Sequence, residues 1–136
     1  MRIRYIFFVV RFVQFFHGFT QSFPIDSSRF FISKEGCKVY SLYFGEGFDF
    51  SWNGACSAGY ADGQGELLIL RQESEKQAGS IKGVFTNGVP TGPCVVTTPS
   101  ESIIEVPFVD GRIWGKGSFT MKNGKIFKGN MVNLTK

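Results

Sequence analysis

Catalysis at neutral pH calls for a base, a nucleophile or a bound metal, and this chain has few side chains to supply them. Its single histidine, His17, lies in the first 22 residues. Proton transfer would therefore fall to carboxylates such as Asp49, Asp62, Glu66 and Asp110. Asp62 and Asp110 each precede a glycine, where aspartate is favoured for turn formation whatever its proton does. Asp49 and Glu66 sit beside strand aromatics or leucines and read as solvent-facing. A small hydrolase using Asp49 or Glu66 in an aromatic groove is the enzymatic reading. Neither a nucleophile–base pair nor a close carboxylate pair can be assembled, so the chain reads as no enzyme. Cys37, Cys56 and Cys94 lack C-x-x-C spacing, and no metal or cofactor is expected.

The stretch SWNGACSAGYADGQG, residues 51–65, raises a third chemistry, a glycine loop around phosphate. A phosphate loop needs G-x-x-x-x-G-K-[ST], and a dinucleotide fingerprint needs G-x-G-x-x-G between a strand and a helix. Neither pattern is present. The net charge of +4 does not indicate nucleic acid either, because Arg2, Arg4 and Arg11 of the leader carry most of it. Without the first 22 residues, 12 basic face 11 acidic side chains. That leader has basic residues, an apolar core interrupted by Arg11, and small residues at Thr20 and Ser22, the layout of a signal peptide cut after Ser22. It is too short and too polar to span a membrane. An uncleaved strand or amphipathic helix is the alternative.

The glycines become intelligible as a period. Trp52-x-Gly54-x-Cys56-x-x-Gly59-x-x-x-Gly63-x-Gly65 is matched by Ile81-x-Gly83-x-Phe85-x-x-Gly88-x-x-x-Gly92-x-Cys94. A third copy reads Ile104-x-Val106-x-Phe108-x-x-Gly111-x-x-x-Gly115-x-Gly117, and a partial fourth reads Phe127-x-Gly129-x-Met131-x-x-Leu134. The steps are 29, 23 and 23 residues, with the excess of the first in the polar stretch LRQESEKQAGS. Alternate positions share one face of a strand, so a glycine between two large residues leaves room for a neighbouring strand's ring. Asn87-Gly88, Asp110-Gly111, Asn123-Gly124 and, in the first copy, Asp62-Gly63 are the expected tight turns. Each unit is two short strands and a turn, and units in series make a meander whose members cannot bury a face alone.

The template resembles the MORN repeat, of the type Y-x-G-x-W/F-x-x-G-x-x-x-G-x-G-x-L, over residues 50–134. The first copy resembles the variant of exported bacterial proteins. Cys56, Cys94, Val106 and Leu134 depart from the motif and put the regularity of the later hairpins in question. The resemblance implies an all-β fold, an elongated antiparallel meander of hairpin repeats, and a scaffolding role with protein or membrane-lipid binding. The domain reading is a leader over 1–22, an N-terminal segment and first hairpin strand over 23–49, and repeats over 50–136.

Before the first copy, two β-prone runs flank Gly45-Glu46-Gly47. A two-residue Glu46-Gly47 loop would set Cys37 opposite Cys56, which predicts a Cys37–Cys56 disulfide; a longer loop or a bulge would shift that register. Cys94, at a motif glycine, reads as a small packed residue. From Arg112 onward six basic residues meet no acidic one, whereas residues 23–111 carry six basic and eleven acidic. Lys116, Lys122, Lys125 and Lys128, with the surface aromatics Tyr60 and Trp114, form the candidate interaction surface. Two readings stand. The basic end docks an acidic partner or anionic lipid headgroups, or its lysines merely discourage edge-to-edge pairing. The sequence thus predicts a non-catalytic interaction or structural module of the bacterial envelope, periplasmic or extracellular. The alternative is a peripheral membrane protein held by its basic end.

Overall fold

The computed structural model describes residues 22–132. The leader up to residue 21, Leu134 and Lys136 lie outside them. The described chain is nearly all β, a mostly antiparallel, meander-like open sheet of ten strands. A 3-10 turn at Ser27–Arg29 leads into β1 (Phe30–Ile32), β2 (Lys38–Tyr40), β3 (Phe48–Trp52), β4 (Ala55–Ser57) and β5 (Tyr60–Arg71). Then come β6 (Gln77–Thr86), β7 (Val89–Thr97), β8 (Ile103–Val109), β9 (Arg112–Thr120) and β10 (Ile126–Val132). From β5 to β10 each strand pairs with the next, while β3 and β4 lie end to end against β5.

Three tight hairpins share one backbone shape. Their two-residue loops are Ala58-Gly59 (φ 53°, 87°), Asn87-Gly88 (φ 50°, 83°) and Asp110-Gly111 (φ 51°, 80°). Two consecutive left-handed residues define the type I′ turn, whose twist suits a hairpin. Two of these turns are where the sequence puts them. The first is not: Asp62-Gly63 lies inside β5, and the chain reverses at Ala58-Gly59 instead. Asn123-Gly124 closes a longer connection, in which Gly124 donates to the Met121 carbonyl at 2.8 Å and Met121 donates to the Lys125 carbonyl at 2.8 Å. That is a type I turn followed by a left-handed glycine.

A second feature accompanies each tight turn. Gly63, Gly92 and Gly115, four residues beyond the turn glycine, take φ of 98°, 72° and 132°. Each lies where the second strand of its hairpin runs longer than the first. From Asp62 to Leu67, β5 advances five steps while the facing chain advances three, from Ala55 to Trp52. The register slips likewise between Lys82 and Val84, and between Glu105 and Phe108. A left-handed residue at a bulge is the position that glycine occupies at least steric cost.

The core lies on one face, built from Phe50, Trp52, Leu67, Ile69, Ile81, Phe85, Val106, Phe108 and Ile113. The N-terminal segment covers it with Val39, Phe31, Tyr43 and Phe44. This segment is not the first half of a hairpin with β3, as its sequence led us to expect. β2 instead pairs with β1 and runs parallel to β5 at Lys38–Tyr60. It crosses the row of tight turns: Lys38 donates to the Gly59 carbonyl at 2.8 Å, Tyr40 donates to the Gly88 carbonyl at 2.8 Å, and the Tyr43 hydroxyl accepts from Ile113 N–H at 2.8 Å. β2 thus satisfies two turn carbonyls that a free hairpin would leave to water, and Tyr43, three residues beyond β2, ties in the third hairpin through Ile113.

The disulfide joins Cys37 and Cys56, with a Cα–Cα separation of 5.8 Å. The expected partners are correct, but another route brings them together. β4 pairs with β5 through Cys56–Ala61, and β2 meets β5 one residue away at Lys38–Tyr60. A bridge of this kind belongs to an oxidising environment outside the cytoplasm. Among the described residues, no helix is long and apolar enough to cross a membrane.

Candidate functional site

The six residues expected to form an interaction surface do not converge. Tyr60 opens β5 at the turn end of the sheet, half-buried edge-on against Phe30 with ring centroids 5.7 Å apart, and Lys38 Nζ lies 5.3 Å from its ring centroid. Beside it runs an open groove of about 490 Å³, lined by Ile25, Phe30, Thr86, Asn87 and Asp110 among others. Trp114 lies on β9, with β6, β7 and β8 between it and Tyr60. It is half-buried against Phe23 at 5.1 Å, and Phe23 N–H donates to Asp110 Oδ2 at 2.8 Å. The N-terminal segment therefore claims both aromatics, a cover that the sequence pattern could not show.

The basic residues do gather. Lys116 and Lys128 lie on β9 and β10, and Lys122 and Lys125 occupy the loop between them. All four are exposed. Lys116 pairs with Asn130 and Ser118 with Lys128, so the even-numbered side chains of both strands share one face. Lys122 Nζ lies 3.4 Å from Glu101 Oε1, with both side chains mostly in solvent. An exposed pair of this kind contributes little, and Lys122 remains available to a partner. β10 pairs only with β9 among the described strands, so this basic end is also a sheet edge. Its Ile126 and Phe127 are 56% and 52% exposed.

Carboxylates that the enzymatic reading would need are dispersed. Asp49 pairs with Leu70 on β5, four residues along that strand from Glu66, which separates them by about 13 Å at 3.3 Å per residue. Paired carboxylates in glycoside hydrolysis sit about 5–9.5 Å apart. Asp49 Oδ1 accepts from Gln72 Nε2 at 3.1 Å, and Asp62 Oδ1 accepts from Asn87 N–H at 3.4 Å. Both are tied into strand and turn structure. No group of three or more His, Cys, Asp or Glu that could hold a metal occurs among the described residues.

Cys94 is free, buried and packed over Gly83, where an added Cβ would meet its Sγ at 2.6 Å. Burial pushes its thiol pKa up to about 11, although a backbone hydrogen bond at Val84 works the other way. Sequence reasoning passed over Glu35. Its carboxylate accepts from Ser51 Oγ and from Trp52 N–H, both at 2.7 Å, and so seals the outer edge of β3. Partial burial alone would raise the Glu35 pKa, but these hydrogen bonds hold it below the usual glutamate value.

No protein-family model matches this chain, and no curated protein matches it.

Proposed function

We propose that the chain is a MORN-type repeat module, exported to the bacterial envelope, which binds a protein surface and performs no catalysis. One observation carries the repeat assignment. The type I′ turn and the left-handed glycine four residues later recur at the same template positions in all three full copies. Gly59, Gly88 and Gly111 fill the first position and Gly63, Gly92 and Gly115 the second, so the motif glycines have a common backbone task. The disulfide supports export, because an oxidising compartment is where such a staple persists.

The binding face is the basic β9–β10 end, where Lys116, Lys122, Lys125 and Lys128 are exposed on a segment whose sequence holds no acidic residue. Photo-cross-linkers placed singly at positions 116, 125 and 128, and for comparison at 73 and 75, test this in the exporting cell. Protein adducts confined to the first group support the reading. Adducts spread evenly over both groups would overturn it. The same lysines favour a second reading, attachment to anionic lipid, each lysine contributing about 1 kcal/mol near such a surface. Flotation with anionic vesicles, lost in the Lys122→Glu/Lys125→Glu/Lys128→Glu variant and absent with neutral vesicles, would select that reading.

A further inference from the structure

The two sides of the sheet end differently. On the β3 side, the outward backbone groups already have partners: Phe50 O accepts Lys34 N–H at 2.8 Å and Trp52 N–H donates to Glu35 Oε1 at 2.7 Å. β1 is only three residues long. Short or covered edges are how sheets avoid unwanted strand partners. β10 has neither protection. It runs for seven residues, contains no proline and, among the described strands, pairs only with β9.

Which groups it leaves open follows from the register. Met121 is hydrogen-bonded to Lys125 and Gly124 at the end of the hairpin. Hydrogen-bonded and non-hydrogen-bonded pairs alternate along an antiparallel ladder. Thr120–Ile126 is therefore an open pair, Phe119–Phe127 a bonded one, Ser118–Lys128 open, Gly117–Gly129 bonded and Lys116–Asn130 open. Ile126, Lys128 and Asn130 then turn their N–H and C=O groups away from β9, to the free edge. Their side chains share one face with Lys116, while Phe127 lies on the opposite, core-side face beside Phe119, at a centroid distance of 6.4 Å.

We propose that β10 accepts a further strand, an extended segment of a partner protein that alternates acidic and apolar residues. The acids would meet Lys128 and Lys116 on one face, and the apolar side chains would cover Phe127 on the other. Main-chain hydrogen bonds at Ile126, Lys128 and Asn130 would hold the segment, as in other strand additions. Charge decides against a second copy as occupant, since two β10 edges laid together would bring the Lys128 side chains of both copies toward each other. The single lysine of β10, at its middle, selects an acidic strand more than it blocks pairing; the other lysines of this end lie in the loop or on β9.

This inference rests on the basic end being the binding face, and its test separates the two. A short synthetic peptide alternating glutamate and valine is titrated into the oxidised protein while backbone amide resonances are followed. Three controls accompany it: the same peptide N-methylated at alternate residues, its lysine counterpart, and the Asn130→Pro variant. Proline at Asn130 removes an outward N–H without touching the β9 ladder, a placement that edge strands tolerate. Saturable shifts at Ile126, Lys128 and Asn130 are expected. N-methylation or Asn130→Pro should weaken binding about tenfold or more, the loss of one or two hydrogen bonds, and the lysine peptide should not bind. Equal binding of the N-methylated peptide would overturn strand addition and leave the basic end as the binding face. No binding by either glutamate peptide would overturn both. A dimer in sedimentation that Asn130→Pro abolishes would overturn the acidic strand as occupant, and edge amides that stay unshifted when anionic vesicles bind would overturn the strand-addition mode.

Discussion

Gly54 and Gly129 hold the same place in the template, yet alanine at the two positions should have opposite effects. At Gly54 a Cβ would lie 2.5 Å from Trp52 Cζ2 and 2.8 Å from the Gln64 carbonyl oxygen. Carbon atoms in comfortable contact are about 3.5–4.0 Å apart, so the indole would have to retreat by about 1 Å. It has nowhere to go. Trp52 is 1% exposed, its Nε1–H donates to the Ala55 carbonyl at 2.7 Å, and its ring centroid lies 4.7 Å from that of Phe85. Overpacking of this kind costs about 1–3 kcal/mol, and a lost indole hydrogen bond adds about 1 kcal/mol, so Gly54→Ala should lose roughly 3 kcal/mol. A Cβ at Gly129 would meet nothing within 4 Å. There alanine removes only the entropic penalty of a strand glycine and should be neutral or stabilising by about 0.5 kcal/mol. Urea denaturation of the oxidised protein, followed by far-UV circular dichroism, measures both. A loss below about 1 kcal/mol for Gly54→Ala, the size of an ordinary substitution, would refute the packing argument. So would equal losses at the two sites.

Three other outcomes follow from the same geometry. Replacing Cys37 and Cys56 together by alanine should cost about 3 kcal/mol, the chain-entropy value for a loop with a sequence separation of 19; an unchanged urea midpoint would show that the packing of β2 makes the bridge redundant. Because Glu35 titrates below its unfolded value, its contribution is present above the unfolded glutamate pKa and is lost as pH falls through the lower folded one. The acid limb of stability against pH should therefore flatten in Glu35→Gln, and parallel limbs for the two proteins would contradict the role given to the Ser51 and Trp52 hydrogen bonds. Cys94, with its thiol pushed up to about 11 and buried, should resist iodoacetamide at pH 8 until the protein unfolds. Mass spectrometry showing rapid labelling of the native protein would contradict this.

Local signals were the legible ones. Asn87-Gly88 and Asp110-Gly111 encode their turns because both residues must take positive φ, and few dipeptides do so cheaply. Asp62-Gly63 carries the same signature and misled: Gly63 does take positive φ, but as the bulge glycine of β5, while Asp62 turns its carboxylate to Asn87. The turn itself fell on Ala58, which adopts φ 53° without the usual side chain. Template position would have located it, since Ala58-Gly59 aligns with the other two turns. The N-terminal segment was misread for a different reason. Periodicity tells which face a strand buries and not which strand it meets. Its parallel bridge to β5 and its hydrogen bonds to three separate turns are non-local, and nothing near residue 40 records them. The lysines of the basic end were legible as a charge run, but their coincidence with an open edge depends on β10 being last in the sheet.

Two departures from the template, Cys94 and Val106, have a packing explanation that links sequence to core. Register sets Gly65 against Gly83, Cys94 against Val106 and Gly117 against Gly129, a single row of small residues across the sheet. The Trp52 indole lies across Gly54 and Gly65, so both must lack a side chain. The same template position holds Ile81 and Ile104 in the next two segments, and both fill less space than an indole. There Cys94 and Val106, registered partners each 3% exposed, supply the missing volume themselves. Each still faces a glycine within its own hairpin: Cys94 Sγ sits against Gly83, and Val106 against Gly117. On the repeat reading, what each copy keeps is the summed volume of its row at close-packed density, and a glycine is dispensable once no ring lies across it. The turn and bulge glycines have no such freedom, because positive φ is a demand of the backbone that no neighbour can meet for them.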